Sequence, residues 1–514
     1  MNEKIDYNGL PKHSKPIWRS GLNIPTFEPY NDGEEFDAVI VGAGITGIST
    51  AYFLTQAGMK VALLEANKII NGTTGHTTAK VTAQHDLVYD ELIQHFGLEK
   101  TKIFYHSTKN AMDFIRKYTN DNQIECNYET QDATIYTTSD DYVRNLENEL
   151  KAYEKLGIDS FGAVKILLPF DTKYSITMRD QAQFHPLKYL IHLLKASIEN
   201  GLKVYEETVV IDVETGNCPV VVTQSGRKIK CKHVVSAAHF PFYDGNQMFF
   251  TKLHADRSYA LAAKVKTAYP GGMYISAENP KRSLRSFKYN NEELVLIGGE
   301  SHKTGVETRT MSFYENLKLF GEETFGIEDV KFRWSAQDLI TLDKMPYIGR
   351  LSSSSKHQNI YVATGFRKWG MTTGTVSAQL ISNLILEKEA VDADVFTPSR
   401  FQADPSIKHF LMQNIDVAKH LIEGKLEPVS RKIEELYNDE GSVVTLDGKR
   451  VGAYKDVNGK VHCVDTTCTH LGCEVEWNNG EKSWDCPCHG SRFSIYGEVL
   501  EGPADQPLKQ VFVQ

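Results

Sequence analysis

Between Ala38 and Met59 the chain carries no charged side chain, a stretch long enough to cross a bilayer. Yet the same stretch holds Gly42, Gly44, Gly47 and Gly58. In context, FDAVIVGAGITGISTAYFLTQAGMKVALLEA reads as a strand over 38–42, a turn, a helix, and a second strand over 60–64 ending at Glu65. The pattern Gly42-x-Gly44-x-x-Gly47 permits a tight turn and close approach of backbone to a pyrophosphate held at a helix amino terminus. Glu65 stands where a carboxylate accepts hydrogen bonds from ribose hydroxyls, which disfavours a 2′-phosphate and hence NADP. Strand, glycines, helix and acid in that order predict a dinucleotide-binding unit and not a membrane span.

At 514 residues the chain is expected to form more than one domain. Its net charge of −9 provides no electrostatic footprint for nucleic acid. The opening MNEKIDYNGLPKHSKP has no apolar signal region, which predicts a cytoplasmic protein without a transmembrane segment. An irregular arm over the surface is expected for 1–34. Alternating β-rich and helical runs over 35–390 predict a parallel sheet with crossover helices, into which a second lobe is inserted at approximately 85–165 and 245–330. A helical connector follows at 391–428, where Ile407, Phe410, Leu411, Ile415, Leu421 and Ile422 recur at helical spacing. Short strands and Gly-containing turns fill 429–514 as a small all-β module.

The segment ATGFRKWGMTTGTVSAQL, preceded by DKMPYIGR, resembles the second flavin-binding segment of the D-amino-acid oxidase (DAO) superfamily. The likeness runs with gaps from about residue 36 to 388. It implies an α/β FAD-binding domain, Rossmann-like and of the glutathione-reductase type, with an inserted α+β substrate lobe. Gly365, Gly370, Met371, Thr372 and Thr373 then become flavin contacts, near a helix end that stabilises negative charge on reduced flavin. The strand VVSAAH returns to the FAD site, and Val209 becomes a backbone partner for adenine. In NGTTGHTTAK, the residues Thr73, Thr74, Thr77 and Thr78 lie along the cofactor. His76 matches the histidine joined covalently to flavin in some amine dehydrogenases of the superfamily; the plainer reading is a hydrogen bond to flavin or backbone. The superfamily oxidises C–N bonds, so a small amine or amino-acid-like substrate is implied. Arg282, Arg285 and His302 surround the strand expected to face the flavin, where an arginine clamps a carboxylate or merely pairs at the surface. Where sarcosine oxidases carry an oxygen-activating lysine, this chain reads Leu294, Val295, Leu296, Ile297, which points away from oxygen as the acceptor.

Four of the eight cysteines crowd into CTHLGCEVEWNNGEKSWDCPCHGSRF. Cys468-x-His470 and Cys486-x-x-His489 offer two thiolates and two imidazoles. Such a set binds tetrahedral zinc, or a [2Fe–2S] cluster with both cysteines on one iron and both histidines on the other. Each half is a loop between strands, which favours the cluster. The stretch resembles the cytochrome bc-type Rieske module, including HGSRF and the later GPA at 502–504. That resemblance makes Cys468, His470, Cys486 and His489 the ligands and Cys473–Cys488 an inter-loop disulfide. It also makes Ser491 a hydroxyl donor to a bridging sulfide. Phe493 stands where high-potential members place a tyrosine, so one hydrogen bond is missing and a lower potential follows.

Together these features predict an FAD-dependent dehydrogenase that passes electrons singly to its own Rieske cluster and on to an unidentified acceptor. The alternative is a reductase fed by an external donor, although no second GxGxxG unit offers a nicotinamide site. A Rieske oxygenase is disfavoured, because no two histidines have the His-x4-His spacing.

Overall fold

The computed structural model describes residues 9–31, 33–400 and 430–512. The amphipathic helix expected within 391–428 falls largely on 401–429, outside the described residues.

The first sheet has eight strands and is mostly parallel. Phe36–Val41 lies at its centre, with Val61–Leu64 and Lys203–Tyr205 on one side and Lys228–Ser236 and Ile360–Thr364 on the other. Its central strands are apolar on both sides because helices cover one face, while the strand pair Val210–Glu214 and Val220–Thr223 packs with Phe249 and Leu253 on the other. Helix Ile45–Gln56 is buried nearly all round and packs on the helices Gly370–Ile385 and Pro186–Glu199. That accounts for the missing charges between Ala38 and Met59 without a membrane. Among the described residues no helix is long and apolar enough to cross one.

The second sheet has nine strands. Its long antiparallel core pairs Ile327–Thr341, Leu253–Val265, Glu292–Lys303 and Arg282–Tyr289. Met273–Ser276, Glu129–Thr137, Tyr174–Gln183, Ser160–Ala163 and the short strand Lys80–Val81 complete it. The sheet therefore reaches past the expected limits of 165 and 330, because the strands at 174–183 and 327–341 pair across it.

The arm does more than lie over the surface. Leu10, Ile17 and Trp18 are buried, and the Trp18 indole N–H donates to the Thr77 carbonyl at 2.7 Å. Arg333 donates to the Pro11 and Lys12 carbonyls. Ile17 and Trp18 enter the large core shared with the helices, Leu10 the core under helix Met311–Phe325, and Tyr30 the core on the first sheet's other face, so apolar area of the arm leaves water at three places.

The last module consists of two four-stranded antiparallel sheets, one from Glu440–Leu446 to Gln510–Val511, the other from Glu476–Asn478 to Val499–Glu501. The second sheet supports the two Cys/His loops.

Candidate functional site

Two helix amino termini open onto one cavity of about 1230 Å³. Helix Ile45–Gln56 starts at Gly44 with no side-chain cap, and Gly370–Ile385 starts at Trp369 with none either. Gly42, Gly44 and Glu65 line the cavity beside the first; Gly370 and Met371 line it beside the second. Glu65 Oε2 accepts the Ala43 N–H at 2.9 Å and Oε1 accepts the Asn67 N–H at 3.0 Å. These bonds fix the carboxylate at the mouth of the turn. A Cβ at Gly47 would overlap the Gly42 carbonyl oxygen. That glycine does not line the cavity; it lets helix and strand close on each other.

Thr73, Thr74, His76, Thr77, Thr78 and Val209 also line the cavity. Two tryptophans pin this loop: Trp18 holds the Thr77 carbonyl, and Trp334 Nε1 donates to the His76 carbonyl at 2.8 Å. His76 Nδ1 bonds the Gly72 carbonyl oxygen at 3.0 Å, and burial lowers the pKa of its ring. Gly365, Thr372 and Thr373 lie outside the lining. The Thr372 hydroxyl is taken by the Thr82 carbonyl and His85 Nε2, each at 3.1 Å, while Gly365 packs on Thr341.

None of Arg282, Arg285 and His302 lines the cavity. Arg282 pairs with Glu300 at 2.5 Å. Arg285 is fully buried, donates to the Ala79 carbonyl and lies over the Trp18 ring. His302 bonds the Tyr259 hydroxyl at 2.9 Å. Lys80, Ser283 and an ion pair between Lys281 and Asp86 at 2.9 Å line this end instead. Leu294–Ile297 lacks a lysine, but the cavity does not.

In the last module Cys468 and Cys486 are buried free thiols. Their mutual contact brings Cys468 below the usual thiol range, and with burial it pushes Cys486 above it. The sulfurs of Cys473, Cys486 and Cys488 cluster within 4.8 Å. Cys473 and Cys488 are bonded to each other at 2.03 Å, however, and so are unable to serve as thiolate ligands. The His470 and His489 rings stand 4.9 Å apart, and His470 Nδ1 is buried with no hydrogen-bond partner. A buried ring nitrogen left unpaired is costly unless a metal ion takes it. Two thiols, two imidazoles and that orphaned nitrogen fit a [2Fe–2S] cluster. Ser491 Oγ accepts the Ala504 N–H at 3.0 Å, and Phe493 is wholly buried among the four cysteines.

The histidines face the first sheet's domain. Phe240 lies 6.2 Å from the His470 ring and Phe250 6.0 Å from that of His489. His470, Glu501 and Pro503 line the same cavity as the dinucleotide residues. Around this contact the surfaces are joined by buried polar bonds. Gln337 Nε2 donates to the Gly490 carbonyl at 2.9 Å, and Arg333 donates to that of Gly480 at 2.8 Å. Glu501 accepts from Arg257 at 3.0 Å and from Arg492 at 2.9 Å. Burial alone would raise the Glu501 pKa, but these two guanidiniums hold it down at about 2. A Cβ at Gly305 would strike Pro487 of the second Cys/His loop.

Residues 37–384 match the family model of DAO, FAD dependent oxidoreductase, and residues 428–512 match that of the Rieske [2Fe-2S] domain. The chain is 48% identical over 494 residues to YhfW of Bacillus subtilis (strain 168), named for a Rieske 2Fe-2S centre, with 96% of this chain and 97% of that protein covered. It is 23% identical to gamma-glutamylputrescine oxidoreductase of Escherichia coli (strain K12), over 78% of this chain and 93% of the relative. Glycine oxidase from Geobacillus kaustophilus shares the fold with a TM-score of 0.61 at 16% identity, covering 71% of this chain and 99% of that one. The chain therefore belongs to the DAO family of FAD-dependent oxidoreductases, and joins its FAD-binding domain to a Rieske domain that binds a [2Fe–2S] cluster.

Proposed function

We propose that the chain is a dehydrogenase of an amine or amino-acid-like substrate, and that its electrons leave singly through its own Rieske cluster to a separate acceptor. One observation carries the reading: a single cavity is lined at one side by the dinucleotide residues and at the other by His470. Bound FAD supplies a two-electron acceptor and the cluster a one-electron carrier. The protein's part is placement. The amides at the two helix starts and Glu65 would hold the dinucleotide. Cys468, His470, Cys486 and His489 would hold the iron, with Ser491 donating towards sulfur. Phe240 and Phe250 keep water from the histidine edges. Buried bonds from Arg257, Gln337 and Arg333 fix the two sites at one separation, so the acceptor's effective concentration does not depend on diffusion.

Anaerobic titration of the holoprotein with amines, amino acids and NAD(P)H, following flavin and cluster absorbance together, tests this. Bleaching of both chromophores by an amine or amino acid is expected. Bleaching by NADH alone would establish an externally fed reductase instead.

A further inference from the structure

At the end of the cavity away from the glycine turn, Lys80 sits on the short edge strand of the second sheet. Its Nζ donates to the Ser283 hydroxyl at 2.8 Å and to the Tyr274 carbonyl at 3.2 Å, both uncharged. An ammonium has three donors, and Lys80 lines the cavity. Among the described residues no carboxylate pairs with it. Asp86, whose charge acts on it, is engaged by Lys281 at 2.9 Å. Burying a cation with only neutral partners is unfavourable unless something else supplies the anion.

Resting on the oxidoreductase reading above, we propose that Lys80 receives the carboxylate of the substrate and thereby selects amino acids over amines that lack one. Arg285, the more obvious clamp, is sealed behind Trp18 and Ala79 and does not reach the cavity. It acts on Lys80 through its charge. Burial first, then Arg285, lower the Lys80 pKa to about 7, against a smaller opposing pull from Asp86. The other charged or titratable neighbours are Lys281, committed to Asp86, Glu129 behind Arg285, and Tyr274, which offers only its carbonyl. Above pH 7 the empty site therefore holds a neutral amine. A carboxylate that binds there must bring a proton onto Nζ, and its affinity falls as pH rises, approaching tenfold per unit.

Calorimetry on the full-length holoprotein tests this without turnover. The ligands are anthranilate and its uncharged analogue 2-aminobenzamide, titrated at pH 8 in two buffers of different ionisation enthalpy. In the wild type, anthranilate should bind at least tenfold more tightly than the amide, with uptake of close to one proton. Lys80→Met should abolish both differences. Lys80→Arg should keep the preference but lose the proton uptake, since a guanidinium is already charged. The inference is overturned if anthranilate shows no preference over the amide, or keeps its affinity in Lys80→Met. The outcome is separable from the broader reading: an amine that bleaches flavin and cluster while carboxylates fail to bind would overturn the role of Lys80 alone.

Discussion

Phe493 packs against the sulfur-bearing loops with no hydroxyl to offer. Phe493→Tyr should raise the cluster's midpoint potential by about 60 mV, the one-electron equivalent of a hydrogen bond of about 1.4 kcal/mol; protein-film voltammetry would read the shift. Cys468→Ser should remove the cluster's visible absorbance while the flavin spectrum stays. These residues were legible because ligands in two short loops keep their spacing in sequence. The residues of the substrate end were not. Arg282 and Arg285 are three apart on one strand, so they point to opposite faces, and sequence alone does not say which face meets the cavity. Lys80 gave no signal at all. Its significance comes from Ser283 and Tyr274, about 200 residues away in the chain, and from the lack, among the described residues, of a carboxylate paired with it.

Helix Tyr89–Phe96 begins at Val88 with no side-chain cap of its own. Glu149, buried in the helix Val143–Leu156, supplies one from a distance by accepting the N–H groups of Val88, Tyr89 and Asp90 at 3.0, 2.9 and 2.9 Å. Glu149→Ala would leave three donors unmet, two of them buried and one partly so. It should cost on the order of 3 kcal/mol, visible as a lower midpoint in chemical denaturation. Capping of this kind is invisible to rules that look for a cap a few residues before the helix. The βαβ unit, by contrast, was readable because strand, turn, helix and acid follow one another within one local run. The limits of the second sheet were harder to place, since the strands that set them pair with partners far away in the chain.

Across the whole molecule, the clamp of Arg257, Glu501 and Arg492 joins the Rieske module to the flavin domain. The Glu501 pKa is depressed in the folded chain, so its contribution is complete above the ordinary carboxylate range. It fades as pH falls from about 4.5 towards 2. Glu501→Gln should cost about 2 kcal/mol, less than a fully buried pair because the carboxylate is partly exposed. On the proposed electron route it should also slow cluster reduction after flavin reduction, as stopped-flow absorbance would show. Neither domain's motifs predicted this contact, because an interface is a property of two surfaces and each motif describes one site.

The closeness of Gly305 to Pro487 and of Phe250 to the His489 ring leaves that histidine buried against the flavin domain. Iron and sulfide offered to the closed protein therefore meet a covered ligand. Protein made without iron is expected to rebuild its cluster faster once mild denaturant parts the two halves, as the return of visible absorbance would show.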